Sequence, residues 1–205
     1  MSTLETLLSR RSVPAEALTE PGPSEAQVAQ AIDVALRAPD HGRMQPWRFR
    51  LVRSRAAREA FSELLGRFAD AASLPPAQAD KLRRRPLVVP LVIVVSAKLR
   101  EHPKVPEIEQ LLSVGATTMN LLNAFHAQGF GAVWLTGPPS YDAGVAAALG
   151  LVEGNGKGEG EGGGKGERLL GFVYVGTPGP NVPPAPARPS REAFVGEWLG
   201  PAPSG

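Results

Sequence analysis

Between Ala38 and Phe49 the chain reads Ala-Pro-Asp-His-Gly-Arg-Met-Gln-Pro-Trp-Arg-Phe, which crowds Asp40, His41, Arg43, Gln45, Trp47 and Arg48 into one short stretch. Pro39 and Pro46 each remove a backbone donor and bias the preceding residue out of the helical region, so the stretch is a loop. Its side chains can bind anions, donate protons or stack on rings, and loops between regular elements are where ligands are met. A second cationic group, Arg10-Arg11-Ser12, offers two guanidinium groups and a hydroxyl, the donors suited to charge-assisted bonds with a phosphate. Asp40 beside His41 invites comparison with a hydrolytic dyad. No serine in a nucleophile-elbow context accompanies them, and adjacent residues seldom meet in triad geometry.

Two other charged or glycine-rich stretches carry less. Lys81 to Arg85 is basic without interleaved aromatics and reads as a solvated helix face, or else as a patch for an acidic partner. Gly154 to Gly166 contains only Gly, Lys, Glu and one Asn. It has neither a Gly-Lys-Ser/Thr ending nor a fixed Gly-x-Gly-x-x-Gly register, so it reads as a flexible surface insertion and not a phosphate cradle.

The chain has 205 residues, 42% of them hydrophobic, which is enough to bury one ordinary core. Net charge is +2, so electrostatics demand neither nucleic acid nor an anionic membrane. The absence of cysteine removes thiolate, disulfide and iron–sulfur chemistry, and the three histidines at 41, 102 and 126 lack metal-ligand spacing. No metal site is expected. The N-terminus lacks a basic-then-apolar leader and no apolar run approaches a membrane span, so a cytoplasmic location is expected.

The elements that must position these groups follow from periodicity. Leu4, Leu7 and Leu8 imply a helix that ends at Ser9-Arg10-Arg11-Ser12 before Pro14, and Ala15 to Pro23 reads as an extended connector. Ser24 with Gln27 forms a capping box for a helix with Val28, Ala31, Ile32, Ala35 and Leu36 on one face, which delivers Arg37 into the loop. Trp47 to Val52 alternates as a strand, and Ser54 caps a helix with Phe61, Leu64, Leu65 and Phe68 inward. Leu91 to Val95 is a strand covered on both faces, followed by a long helix from Glu107 to Gln128 that Gly129 ends. Phe130 to Leu135 is a strand, Ser140 to Leu149 a helix, and Leu169 to Val175 the last strand. The Pro-rich tail 179–205 carries Phe194, Val195 and Trp198 as apolar anchors. Without a regular strand–helix repeat, the fold class is α+β in a single domain over 1–205.

Arg10-Arg11-Ser12, Gln45-Pro46-Trp47-Arg48-Phe49, the strand Pro90 to Ser96, Gln128-Gly129-Phe130-Gly131 with Trp134, and Gly171-Phe172 to Gly176-Thr177-Pro178 occur in the order found in one family. In this succession the chain resembles the FMN-dependent nitroreductase family, in particular its small NAD(P)H nitroreductase-like branch. The resemblance implies a central, mostly antiparallel sheet flanked by helices, with an extended C-terminal tail docking on a dimer partner. It implies a homodimer with two FMN sites at the subunit interface. By the same resemblance Arg10, Arg11 and Ser12 hold the phosphate, ribityl chain and ring edge, Arg37 and His41 reach in from the partner, and Trp134, Leu135 and Thr136 lie along the ring. A late basic residue, Arg188 or Arg191, is a further phosphate candidate. Leu135 stands where relatives can carry a basic residue.

The function so implied is an FMN-dependent oxidoreductase using NADH or NADPH to reduce nitroaromatic, quinone or related acceptors in a ping-pong cycle. The flavin carries the chemistry, so no catalytic side chain is assigned. The alternatives are a flavin-binding or sensing protein with little turnover, and an interaction module using Lys81 to Arg85.

Overall fold

The computed structural model describes residues 2–151 and 166–200. Nearly all of the Gly-rich stretch, 154–165, lies outside the described residues, as does the end of the tail. The chain forms helices α1 (Thr3–Ser9), α2 (Glu25–Ala35), α3 (Arg55–Ala71), α4 (Pro76–Val88), α5 (Glu107–Ala127) and α6 (Ala143–Ala148). Its strands are β1 (Leu18–Thr19), β2 (Trp47–Val52), β3 (Leu91–Lys98), β4 (Gly131–Leu135) and β5 (Glu167–Pro178).

Every strand pairing is antiparallel. The sheet runs β1-β5-β3-β2, with β4 also paired to β5. β5 is long enough to hold β3 along one edge while β4 and then β1 occupy successive lengths of the other. This accounts for its extension beyond the Leu169–Val175 apolar run.

β3 is buried on both faces, as its unbroken apolar sequence requires. The period of two sorts its side chains: Leu91, Ile93, Val95 and Ala97 enter one core cluster, Val92 and Val94 the other. The first cluster is completed by α2 and α5 through Val28, Ala31, Ala35, Val114, Leu121 and Phe125. The second is closed by α3 and α6 through Phe61, Leu65 and Val145. Phe61 meets Phe172 of β5 edge-on at 5.2 Å between ring centroids. Burying each such aliphatic or aromatic side chain contributes about 1.5–3 kcal/mol.

The caps read from sequence are present. Ser24 and Gln27 exchange hydrogen bonds at the start of α2, and the Ser54 hydroxyl accepts from Ala57 N–H at 3.1 Å. α1 is also closed by a capping box, Ser2 with Glu5. The connector 15–23 is more structured than its composition suggests. It contains a 3-10 turn, Ala15–Ala17, and the short strand β1, because Leu18 buries itself against the end of β5. The helix read over Ser140 to Leu149 divides into a 3-10 turn, Pro138–Tyr141, and α6, with Asp142 capping Val145 N–H at 2.8 Å.

The basic cluster lies on α4 as a helix face. Arg83 pairs with Asp70, and Arg85 with Glu16 at 2.9 Å. Several large apolar side chains face outward: Leu4 and Leu8 on α1, Ile108 and Leu112 on α5, and Phe194, Val195, Trp198 and Leu199 in the tail.

Candidate functional site

The segment after α1 is extended and tied to the sheet. Val13 N–H donates to Ala132 O at 3.0 Å, so Arg10, Arg11 and Ser12 leave the start of β4. Gly131 permits this approach, since a Cβ there would lie 2.7 Å from Leu18 and 3.0 Å from Val13. The tail returns to the same place: Arg188 Nη2 donates to Arg10 O at 2.7 Å and Arg11 Nη1 donates to Pro183 O. Arg191, by contrast, bonds its neighbour Glu192 at 3.1 Å in an exposed turn.

Arg10 and Arg188 therefore stand together, and among the described residues neither forms an ion pair with a carboxylate. Burial first, and then Arg188, hold the Arg10 guanidinium below its ordinary value. His126, near the C-terminal end of α5, meets Ser9 Oγ through Nε2 at 2.9 Å. Burial first, and then the charge of Arg10, push this imidazole down. Burial is the larger cause of both shifts; the smaller contribution of neighbouring positive charge is one that an anion would offset.

Asp40 anchors the Pro-bounded loop from within. Its carboxylate accepts from Met44 N–H at 3.1 Å and Gln45 N–H at 2.9 Å. Arg48 donates to Gln45 O at 2.9 Å, and Arg100 to Met44 O at 2.8 Å. Gly42, Arg43 and Gln45 all have left-handed backbone, with φ of 67°, 52° and 47°. Such conformations persist only where surrounding bonds determine them, and these do so. His41 turns away from Asp40 and bonds Glu109 of α5 through Nδ1 at 2.5 Å. The two adjacent residues thus serve separate partners and form no dyad with each other. Arg37 is exposed at the start of this loop.

Trp134, Leu135 and Thr136 form the exit of β4. The Trp134 indole packs on the first core cluster and donates to Leu170 O at 3.2 Å, while Leu135 packs into the second. Trp134 and Leu135 are only half-buried and Thr136 is exposed, so a ligand would meet both the backbone of this segment and the side chains of Trp134 and Thr136. The β3–β5 register shifts between Val95 and Ser96, leaving Leu170 as the extra residue. Gly171 beside it has φ 128°, and a Cβ there would lie 2.5 Å from Leu135 O and 2.8 Å from the Trp134 indole nitrogen. Only glycine lets β5 run this close beneath the segment.

A cleft of about 250 Å³ opens beside this exit, lined in part by Leu111, Gly115, Trp134, Thr136, Ser140 and Arg168. The buried Ser140 Oγ has no hydrogen-bond partner among the described residues, and nothing lies within 4 Å of where a Gly115 Cβ would be. The small-residue stretch of α5 thus leaves space at Gly115, while Thr117 and Thr118 are fully buried in helix packing.

The predicted residues fall into two groups in one chain. Arg10 to Ser12 precede the Val13 bond at the start of β4, and Trp134 to Thr136 stand at its exit. His41 is fixed at the N-terminal end of α5 by Glu109, whereas Ser9 and Arg10 meet His126 near its other end. At ~1.5 Å per residue, the helix separates Glu109 from His126 by about 25 Å. Sequence reasoning missed Glu109, His126, Ser140 and the role of Asp40. Only Asp40 left a signal, as an Asx residue ahead of a turn.

The family model described as the Nitroreductase family matches residues 7–176. The chain is 38% identical over 178 residues to an Escherichia coli K12 protein with the provisional name NAD(P)H nitroreductase YdjA, covering 87% of this chain and 89% of that one. In structure it resembles a nitroreductase-like family protein from Bacillus cereus, with a TM-score of 0.76 at 20% identity over 98% and 97% of the two chains. It also resembles a provisionally assigned nitroreductase from Desulfovibrio desulfuricans crystallised in complex with FMN, with a TM-score of 0.70 at 21% identity over 98% and 99%. The protein belongs to the nitroreductase family.

Proposed function

We propose that the protein is an FMN-dependent NAD(P)H oxidoreductase, a single domain that works as a homodimer with each cofactor site built from two subunits. The observation that carries this reading is the convergence of Arg10 and Arg188, without a paired carboxylate, at the start of the β4 segment. Two guanidinium groups and the Ser12 hydroxyl suit a phosphate dianion, which is the charged end of FMN. The donor set therefore fits the cofactor, and the relative crystallised with FMN supports the same assignment.

In this reading Arg10, Arg11, Ser12 and Arg188 hold the phosphate and ribityl chain. The backbone of Trp134, Leu135 and Thr136 borders the ring, with the open cleft at Gly115 and Ser140 alongside. Arg37 and His41 belong to the facing subunit's site, since α5 keeps them far from Arg10 of their own chain. The exposed leucines of α1 and the aromatic tail supply apolar surface for the pairing. Arg10 or Arg11 place positive charge toward the ring edge and favour the reduced, anionic cofactor. When bound, FMN supplies two-electron transfer from NADH or NADPH to a nitroaromatic, quinone or related acceptor, donor and acceptor using the site in turn.

The test is the visible spectrum of the purified protein. Absorbance near ~450 nm that bleaches anaerobically on adding NADH or NADPH and returns with an acceptor is the expected result. A colourless protein that does not take up FMN would overturn the reading. Colour without turnover on any acceptor would leave a flavin-binding protein instead of an enzyme.

A further inference from the structure

On the opposite face of the sheet from α5, under α3 and α4, lies a cavity of about 170 Å³. Leu65, Leu74, Leu82, Phe172 and Pro139 make its apolar wall, and Tyr174, Gln78, Lys81 and Arg85 bring polar atoms to it. An apolar cavity of ~150 Å³ accommodates benzene, so this volume suits one substituted ring.

Tyr174 gives the cavity its chemistry. The residue is 1% exposed and lines the cavity; its backbone is taken up by the ladders to β3 and β4, while its phenol makes no hydrogen bond to another described residue. Unlike the Ser140 hydroxyl, the phenol oxygen is not sealed from solvent, so it opens into the cavity and can donate to an occupant's acceptor. Burial pushes its pKa up, so it stays protonated and able to donate. At the wall, Arg85 is engaged by Glu16 at 2.9 Å, whereas Lys81 forms no ion pair among the described residues. These three charges sum to a net positive wall.

We propose that this cavity binds a single-ring aromatic acid carrying a second polar substituent, the ring between Leu65, Leu82 and Phe172, the substituent at the Tyr174 phenol and the carboxylate at Lys81. The cavity is distinct from the cleft at Gly115 and Ser140, and its occupancy does not depend on the cofactor assignment. Leu135 of the β4 exit also lines this cavity, so an occupant would lie behind the segment proposed to border the flavin ring.

The experiment titrates the full chain as purified with 4-hydroxybenzoate, following the methyl resonances of Leu65 and Leu82 by NMR. Benzoate tests the hydroxyl and 4-hydroxybenzyl alcohol tests the charge. Saturable shifts at these methyls are expected, with 4-hydroxybenzoate binding about tenfold tighter than either analogue. Tyr174→Phe should abolish the preference over benzoate, and Lys81→Gln the preference over the alcohol. No saturable shift at these methyls, shifts confined to other regions, or wild-type preferences in either folded variant would overturn the proposal. Lys81 is exposed on α4, so its substitution leaves the fold intact and decides the matter even if Tyr174→Phe fails to fold.

Discussion

Arg188 and Arg191 are chemically identical and close in sequence, yet their surroundings differ. Arg188 reaches the Arg10 carbonyl and adds to an unneutralised positive field, while Arg191 is spent on Glu192 at the surface. If the field holds a phosphate, Arg188→Ala should weaken FMN retention by about tenfold or more, and Arg191→Ala should leave it within twofold, as read by equilibrium dialysis. His41 differs again, because its ring is held by the Glu109 carboxylate and is assigned a binding role. His41→Ala should lower FMN retention without moving the pH profile of NAD(P)H oxidation. A shifted profile with unchanged retention would assign it a proton-transfer role instead. The sequence carried the identities of Arg10, Arg11 and Ser12 in one short run. It could not choose between Arg188 and Arg191, because that choice depends on how an irregular tail returns to α1.

At the scale of elements, two features of β5 govern the site. The bulge at Leu170 and the left-handed Gly171 let the strand pass under Trp134 and Leu135. Gly171→Ala should therefore cost about 2 kcal/mol or more, from the backbone strain plus contact with Leu135 O, measurable as a lowered denaturation midpoint. Where the same strand begins, just before the bulge, Glu167 accepts two bonds from Arg50, at 2.5 and 2.8 Å, and one from Ser96 at 2.5 Å. The Arg50 bonds first, and the Ser96 bond with them, hold its carboxyl below the usual range against the opposing effect of burial. A carboxylate with a lowered folded pKa stabilises the protein above its unfolded value, and that stability is lost as pH falls through the folded one. Glu167→Gln should thus be about 1–3 kcal/mol less stable at pH 7, with the gap to wild type closing below about pH 5. Urea unfolding at several pH values measures both. The strands themselves were legible from alternation and from the unbroken run of β3. The bulge was not, since nothing in Leu-Leu-Gly-Phe marks which residue loses its partner.

For the whole molecule, the α+β arrangement and the order of most elements could be read because most helices carried a cap or an apolar stripe and the strands either alternated or, in β3, ran unbroken; α4, which lacks a side-chain cap, and the two-residue β1 left no such signal. The outward-facing leucines of α1 have the spacing of a buried helix face, yet α1 contributes no buried residue in the single chain. Periodicity states that a face is apolar and is silent on what covers it. Likewise, the sequence could not say that Asp40 would hold its own loop or that His41 would be carried to the far end of α5 from Arg10.

The length of α5 has a genetic consequence. If each site draws Arg10 from one chain and His41 from the other, a subunit bearing Arg10→Ala and a subunit bearing His41→Ala are defective in complementary halves. Pairing them concentrates both lesions in one site and leaves the other with a full set of native residues. Coexpressed, differently tagged chains purified through both tags should recover about half of the wild-type flavin per dimer, although each parent retains little. Flavin content no higher than that of the parents would mean that the two residues never share a site.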